Sequence, residues 1–237
     1  MNTTRYDRVT SHDNDEFDAY VAVPEAPEAP GIVLLQELFG INDNMRGIAD
    51  QLAADGYLVI VPDMFWRRQR RFETKDESGI IEGKTLAEQA DLGLATQDIA
   101  STYRHLLSLP ECSGRIGGLG FCFGGTLAYL LATQVSVDGN EPAAVVSYYG
   151  HIFDPANTSA LVSCPTLFHF GDQDPYIPLE HAHAVRDAFA DRDDVEVAIY
   201  RAGHAFSNWD APSFYQKEPA DEAWARTTAF LAEHLKK

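Results

Sequence analysis

The stretch Gly118-Leu119-Gly120-Phe121-Cys122-Phe123-Gly124-Gly125, entered through Arg115-Ile116-Gly117, constrains this chain more than any other. A short apolar strand runs into a glycine-flanked turn, and a helix-forming segment, Thr126 to Thr133, leaves it. Gly120-x-Cys122-x-Gly124 is the cysteine form of a nucleophile elbow. Glycines two before and two after the apex let strand and helix pass closely beneath a strained residue. The side chain at the apex then projects at a helix N-terminus, where the helix dipole stabilises negative charge. The pentad alone fits equally well a glycine-rich strand–helix turn around a buried structural cysteine, because cysteine is among the most buried residues.

An elbow of this kind requires two partners in chain order, an acid after a later strand and a histidine after the last strand. Pro165-Thr166-Leu167-Phe168-His169-Phe170 reads as a strand that breaks at Gly171-Asp172-Gln173-Asp174-Pro175. Val195-Glu196-Val197-Ala198-Ile199-Tyr200 alternates as a strand and stops at Arg201-Ala202-Gly203-His204. The separations, Cys122 to Asp174 and Asp174 to His204, suit strand–helix–strand units of an open, mostly parallel sheet. Two aspartates compete for the acid. Asp172 follows Gly171 directly and suits a turn; Asp174 precedes Pro175.

With these residues in view, the chain resembles the dienelactone hydrolase family of α/β-hydrolases. The resemblance rests on Gln36-Glu37-Leu38-Phe39-Gly40, Gly120-Phe121-Cys122-Phe123-Gly124-Gly125, Tyr148-Tyr149-Gly150, Gly171-Asp172-Gln173-Asp174 and Ala202-Gly203-His204-Ala205-Phe206. It implies an α/β-hydrolase fold, cleavage of an ester, lactone or thioester, and a Cys122–His204–Asp174 triad, since the family spacing Gly-x-x-Asp selects Asp174. It implies no metal and no organic cofactor. Phe39, Tyr148 and Phe206 fall in the matched stretches and become candidate substrate-binding residues.

Glu37 interrupts the apolar run Ile32-Val33-Leu34-Leu35-Gln36-Glu37-Leu38-Phe39. A carboxylate there needs solvent or a partner. Either the strand ends at Gln36 and Glu37 is exposed, or Glu37 lies beside the thiol, where the resemblance gives it the task of tuning Cys122 and His204. The loop after this strand supplies the second oxyanion-hole amide in α/β-hydrolases. The expected donor pair is therefore the N–H of Leu38 and the N–H of Phe123.

The substrate does not follow from the resemblance. Dienelactone-specific relatives hold the substrate carboxylate with arginines. One lies four residues after the catalytic histidine, where this chain has Asn208; for another, the nearest residues here are Ile80 and Lys84. Trp66-Arg67-Arg68-Gln69-Arg70-Arg71 is a basic cluster after a strand end. It reads either as a solvated loop or as a positive mouth for anions, with Arg67 the position matched in relatives. Asn208, Arg67 and Lys84 thus complete the list of candidate substrate contacts. His181 and His183 lie two apart in an expected helix and do not share a face, so they are not expected to bind metal. His169 reads as a core residue and His151 as a pocket-rim residue.

The remaining features bound the alternatives. The chain of 237 residues suits one domain spanning 1–237. Met1 to Asp18 carries no apolar core of a secretory signal, and no apolar run approaches membrane-spanning length. The three cysteines, Cys112, Cys122 and Cys164, do not form a disulfide or zinc pattern. A cytoplasmic monomer or small homo-oligomer is expected. A net charge of −18 argues against nucleic acid and anionic membranes as partners and leaves a small-molecule substrate. Two rival functions remain open: a non-catalytic binding module of the same fold, and a redox role for Cys122 with Cys112 or Cys164 as resolving thiol.

The expected elements are a β-hairpin over Tyr6 to Val23 turning at Asp13-Asn14-Asp15, a linker at Pro24 to Pro30, and strands at Gly31 to Gln36 and Tyr57 to Val61. A helix capped at Asn42 or Asp43 separates those two strands. One long helix is expected over Thr85 to Leu107, from the spacing of Leu86, Ala90, Leu94, Ile99, Tyr103 and Leu106. Strands follow near Arg115 to Leu119, Ala143 to Ser147, Thr166 to Phe170 and Val195 to Tyr200, and a helix over Ala220 to Leu235 closes the chain.

Overall fold

A computed structural model describes residues 2–74 and 77–236; Met1 and Lys237, the ends of the expected domain, lie outside the described residues. Eight strands form one sheet: β1 (Thr3–Thr10), β2 (Glu16–Val23), β3 (Ala29–Leu35), β4 (Leu58–Pro62), β5 (Cys112–Phe121), β6 (Val145–Tyr148), β7 (Thr166–Gly171) and β8 (Val195–Tyr200). Their spatial order is β1-β2-β4-β3-β5-β6-β7-β8. The hairpin β1–β2 is antiparallel and β2 joins β4 antiparallel; from β4 to β8 all neighbours run parallel. Asn14 takes a positive φ of 63° in the hairpin turn, a conformation asparagine tolerates. This is the α/β-hydrolase sheet expected from the sequence.

Seven α-helices are described: α1 (Asp43–Ala54), α2 (Ile80–Glu88), α3 (Leu92–Ser108), α4 (Phe123–Gln134), α5 (Pro155–Thr158), α6 (Leu179–Ala188) and α7 (Lys217–Leu235). Central strands are buried on both faces, as a parallel sheet requires. On one face Ile99, Tyr103 and Leu106 of α3, Leu127 and Leu131 of α4, and Ala182 and Val185 of α6 join Val33, Ile60, Val145 and Phe168 in one core. On the other, Met45, Ile48 and Leu52 of α1 and Ala223, Phe230 and Leu231 of α7 pack on Ile32, Val59, Val146 and Leu167. In β2 to β8 the odd and even positions thus serve different cores.

Two helices differ from expectation. The segment read as one helix over Thr85 to Leu107 is two. Asp91 ends the continuity because its Oδ1 accepts the N–H groups of Gly93 and Leu94, at 2.9 and 3.0 Å, and so caps α3. The last helix begins at Lys217, earlier than expected, because Pro219 falls in the first turn, where its missing N–H costs nothing.

Registers align the strand ends that matter. Leu35 of β3 pairs with Gly120 of β5, Phe121 with Tyr148 of β6, and Gly171 of β7 with Tyr200 of β8. Loops leaving β3, β5, β6, β7 and β8 therefore emerge along one carboxyl edge of the sheet, where ligands bind in open α/β sheets.

Candidate active site

Cys122 sits between β5 and α4 with φ 53° and ψ −116°. That backbone geometry is strained for a residue with a Cβ, at roughly 1–3 kcal/mol, and the glycines make it possible. A Cβ on Gly120 would lie 1.9 Å from the carbonyl oxygen of Gly124, and one on Gly124 would lie 2.1 Å from that of Leu35. Strand, turn and helix can approach this closely only without side chains at those two positions. The Cys122 N–H donates to the Tyr148 carbonyl at 3.0 Å, tying the turn to β6.

The thiol meets two further loops. His204, four residues beyond β8, approaches Cys122 Sγ with Nε2 at 3.1 Å, and its Nδ1 lies 2.7 Å from Asp174 Oδ2. Asp174 is held in turn: its Oδ1 accepts the N–H of Tyr176 at 2.7 Å and of Ile177 at 2.9 Å. Asp172 instead is exposed, with its backbone N–H on the Tyr200 carbonyl. Burial works against a charged His204, but negative charge on the Cys122 sulfur and the hydrogen bond to Asp174 outweigh it, and the imidazole is held protonated well above its ordinary range.

Glu37 is buried rather than exposed beyond β3. Its Oε1 accepts the Tyr149 hydroxyl at 2.9 Å, and its Oε2 accepts Asn208 Nδ2. Burial raises its pKa, partly opposed by the Tyr149 hydrogen bond, the charge on His204 and Asn208. Among the described residues the N–H groups of Leu38 and Phe123 have no hydrogen-bond partner, so both remain open to a ligand.

A pocket of about 260 Å³ opens over the thiol. Cys122, His204, Glu37, Leu38 and Phe123 line it, together with Phe39, Ile80, Lys84, Thr126, Tyr149, His151, Tyr176, Ile177, Ala205 and Phe214. Of the six substrate contacts named from the sequence, only Phe39 and Lys84 reach it. Tyr148 is the last residue of β6 and follows the strand's alternation into the core under α7, where its hydroxyl meets Thr227 at 2.6 Å. Tyr149, with φ 38°, breaks the alternation and turns into the site instead. Phe206 is fully buried between Tyr149 and Tyr200. Asn208 is buried on Glu37, and its Oδ1 accepts the Asp210 N–H at 3.0 Å, so it shapes the carboxylate rather than the substrate.

Arg67 is fully engaged elsewhere. Its guanidinium forms a two-point pair with Asp98 at 2.8 Å and reaches Asp13 at 2.7 Å, while lying 4.3 Å over the Trp66 ring. Arg70 flanks the same ring and Arg71 pairs with Asp18. The cluster is a structural clamp on the hairpin and α3, with no arginine of it lining the pocket. Its indirect link to the site is Phe65, stacked on Phe123 with centroids 5.5 Å apart. Tyr149, Thr126, Tyr176, Ile177 and Phe214 were missed as lining residues. Only Tyr149 carried a signal, its place beside Gly150 in a matched stretch.

Comparison with known proteins decides the family. The model of the dienelactone hydrolase family matches residues 17–235. The chain belongs to the dienelactone hydrolase family. As a member it is an ester- or lactone-cleaving hydrolase of the α/β-hydrolase superfamily. It is similar to the carboxymethylenebutenolidase of Pseudomonas sp. (30% identical; 91% of this chain and 89% of that protein). It is also similar to the carboxymethylenebutenolidase of Pseudomonas putida (31%; 94% of each). Among solved structures, a dienelactone hydrolase-like promiscuous phosphotriesterase from metagenomic libraries superposes with a TM-score of 0.83 (23% identity; 99% of each chain). Among the described residues, no helix is long and apolar enough to cross a membrane, and no three or more His, Cys, Asp or Glu side chains are arranged to hold a metal ion.

Proposed function

We propose that this family member, as one domain spanning the chain, hydrolyses small, neutral esters or lactones through an acyl-cysteine intermediate. The observation that carries the reading is the unbroken line Asp174–His204–Cys122, at 2.7 and 3.1 Å, on the floor of a pocket. The Cys122 thiolate adds to the carbonyl carbon as its π electrons move to oxygen. The N–H groups of Leu38 and Phe123 receive that oxyanion. Collapse breaks the acyl–oxygen bond, and His204 Nε2 gives its proton to the departing alkoxide. Water then attacks the thioester with His204 as base, releasing the acid and restoring the thiolate. Asp174 keeps His204 oriented throughout.

Preference for neutral substrates follows from the lining. It is largely apolar, Glu37 sits at its floor, and among the described residues Lys84 is the one lysine or arginine lining it, already 3.7 Å from Glu88. An anionic substrate would meet no bidentate arginine, and a lysine is a poorer substitute. The test is intact-mass spectrometry during turnover of an activated ester. A transient adduct of the acyl mass, mapped to Cys122 and absent in Cys122→Ala, is expected. Full turnover by Cys122→Ala would overturn the mechanism.

A further inference from the structure

One wall of the pocket consists of residues that the triad chemistry leaves unused. His151 lies just beyond β6, and its backbone N–H donates to Thr126 Oγ1, in the first turn of α4, at 2.9 Å. Its imidazole lies against that of His181 from α6, with centroids 4.7 Å apart and planes 15° from parallel. His181 is itself fixed: its Nε2 accepts the Ile152 N–H at 3.1 Å, which leaves its ring proton on Nδ1. Phe170 stands edge-on beneath His181, and Phe153 stands edge-on to His151 at 4.7 Å. Burial, and His151 alongside, lower the affinity of His181 for a second proton, so the base of the stack is a neutral ring.

His151 is exposed and lines the pocket, and among the described residues its ring nitrogens make no hydrogen bond. Its ring is therefore braced from one side and at the edge, and otherwise available. Tyr176, also exposed, lines the same pocket edge-on to His204 at 5.1 Å. A flat, braced ring beside an apolar cavity suits a planar partner, because offset-stacked and edge-to-face pairs add to simple burial of area. A saturated ring of equal size gains the burial without the stacking.

The geometry points to an aromatic shelf: the His151–His181 stack receives a planar, aromatic or conjugated group of the substrate and selects it over a saturated group of the same size. This rests on the pocket being the ester-cleaving site proposed above. The shelf determines specificity and takes no part in bond making or breaking.

Two matched ester pairs test it, benzyl acetate against cyclohexylmethyl acetate and methyl phenylacetate against methyl cyclohexylacetate. They put the planar group on the alcohol and acyl sides respectively, with little change in leaving-group chemistry. kcat/KM is measured for wild type, His151→Ala and His151→Phe. In at least one pair, His151→Ala is expected to lower the preference for the planar ester about 2- to 10-fold, and His151→Phe, which keeps a flat ring, to retain it. An unchanged preference in His151→Ala for both pairs would overturn the shelf. So would equal loss in His151→Phe, which would mean that the ring nitrogens are what matter. Titrating benzyl acetate and methyl phenylacetate by NMR into Cys122→Ala, with and without His151→Ala, separates this from the mechanism. Weaker binding of at least one of them in the double variant supports the shelf whatever the nucleophile; equal binding of both overturns it.

Discussion

Asp174→Asn is the sharpest test of the site, because the structure dictates how the new side chain must sit. Oδ1 of Asp174 already accepts two backbone N–H groups, from Tyr176 and Ile177. An asparagine must keep its amide oxygen there, since turning its NH2 onto two N–H donors would leave three donors facing one another at about 1–3 kcal/mol for each buried group left unpaired. The amide nitrogen is thereby forced to the place of Oδ2, 2.7 Å from His204 Nδ1. A donor now faces Nδ1, so the imidazole gives up its Nδ1 proton and carries one on Nε2, pointing at Cys122 Sγ. In that tautomer His204 cannot take the thiol proton. The same rearrangement in the serine-protease template lowers kcat about 10⁴-fold. A cysteine begins a few per cent ionised at pH 7, which a serine does not, and this recovers roughly one to two of those powers of ten. The expected loss in kcat is therefore about 10²–10³-fold, whereas exposed Asp172→Asn is expected to stay within about 3-fold. Steady-state kinetics on one activated ester, with melting curves to establish folding, decide the matter. Equal losses in the two variants, or a larger one in Asp172→Asn, would refute the argument.

Three further outcomes are expected. Brief iodoacetamide treatment followed by mass mapping should label Cys122 first, because the thiol beside protonated His204 lines the pocket, whereas burial raises Cys112 and pushes Cys164 up to about 12; faster labelling of either of the others would contradict this. Glu37→Gln should raise Tm near neutral pH, with the gain shrinking toward pH 4. The sign follows from linkage: the folded-state pKa of Glu37 is raised by burial, so its stabilising share is full below the unfolded value and is lost as pH rises through the folded one, a loss that glutamine does not suffer; a lower Tm at neutral pH would argue against it. Raising salt from 0.01 to 0.15 M shortens the Debye length from about 30 to about 8 Å, and with 36 acidic against 18 basic residues repulsion should ease and Tm rise; a fall would mean that the surface ion pairs dominate.

Particular residues show why part of this molecule was legible in the sequence. The elbow and the two later loops each pair a strand end with a polar residue in fixed order, and parallel registers bring such ends together whatever lies between. Local chemistry therefore sufficed for Cys122 and His204, whereas the choice of Asp174 over Asp172 came from the family spacing Gly-x-x-Asp. The substrate wall was not legible in this way. Tyr148 and Tyr149 are adjacent and identical, and a single positive φ sends one into the core and the other to the site. Arg67 and its neighbours read as a solvated loop or a mouth, and not as a clamp, because their partners, Asp13, Asp18 and Asp98, lie far away in the chain. Asn208 looked like a substrate contact until its distant partner, Glu37, was seen.

The arginine clamp also changes what the loop after β4 can tolerate. Its backbone is fastened from within, with the carboxylate of Asp63, its pKa pushed up to about 6 by burial, accepting the N–H groups of Phe65 and Arg71. Trp66 carries two guanidiniums against its ring and donates to Asp98. A segment with four arginines, an inviting target for an arginine-directed protease, is in this way withheld from it while the hairpin and α3 stay docked. Cleavage there would report the undocking of those elements, and with them of Phe65 from Phe123. Insertions that a surface loop of this composition would ordinarily accommodate would instead be felt at the thiol.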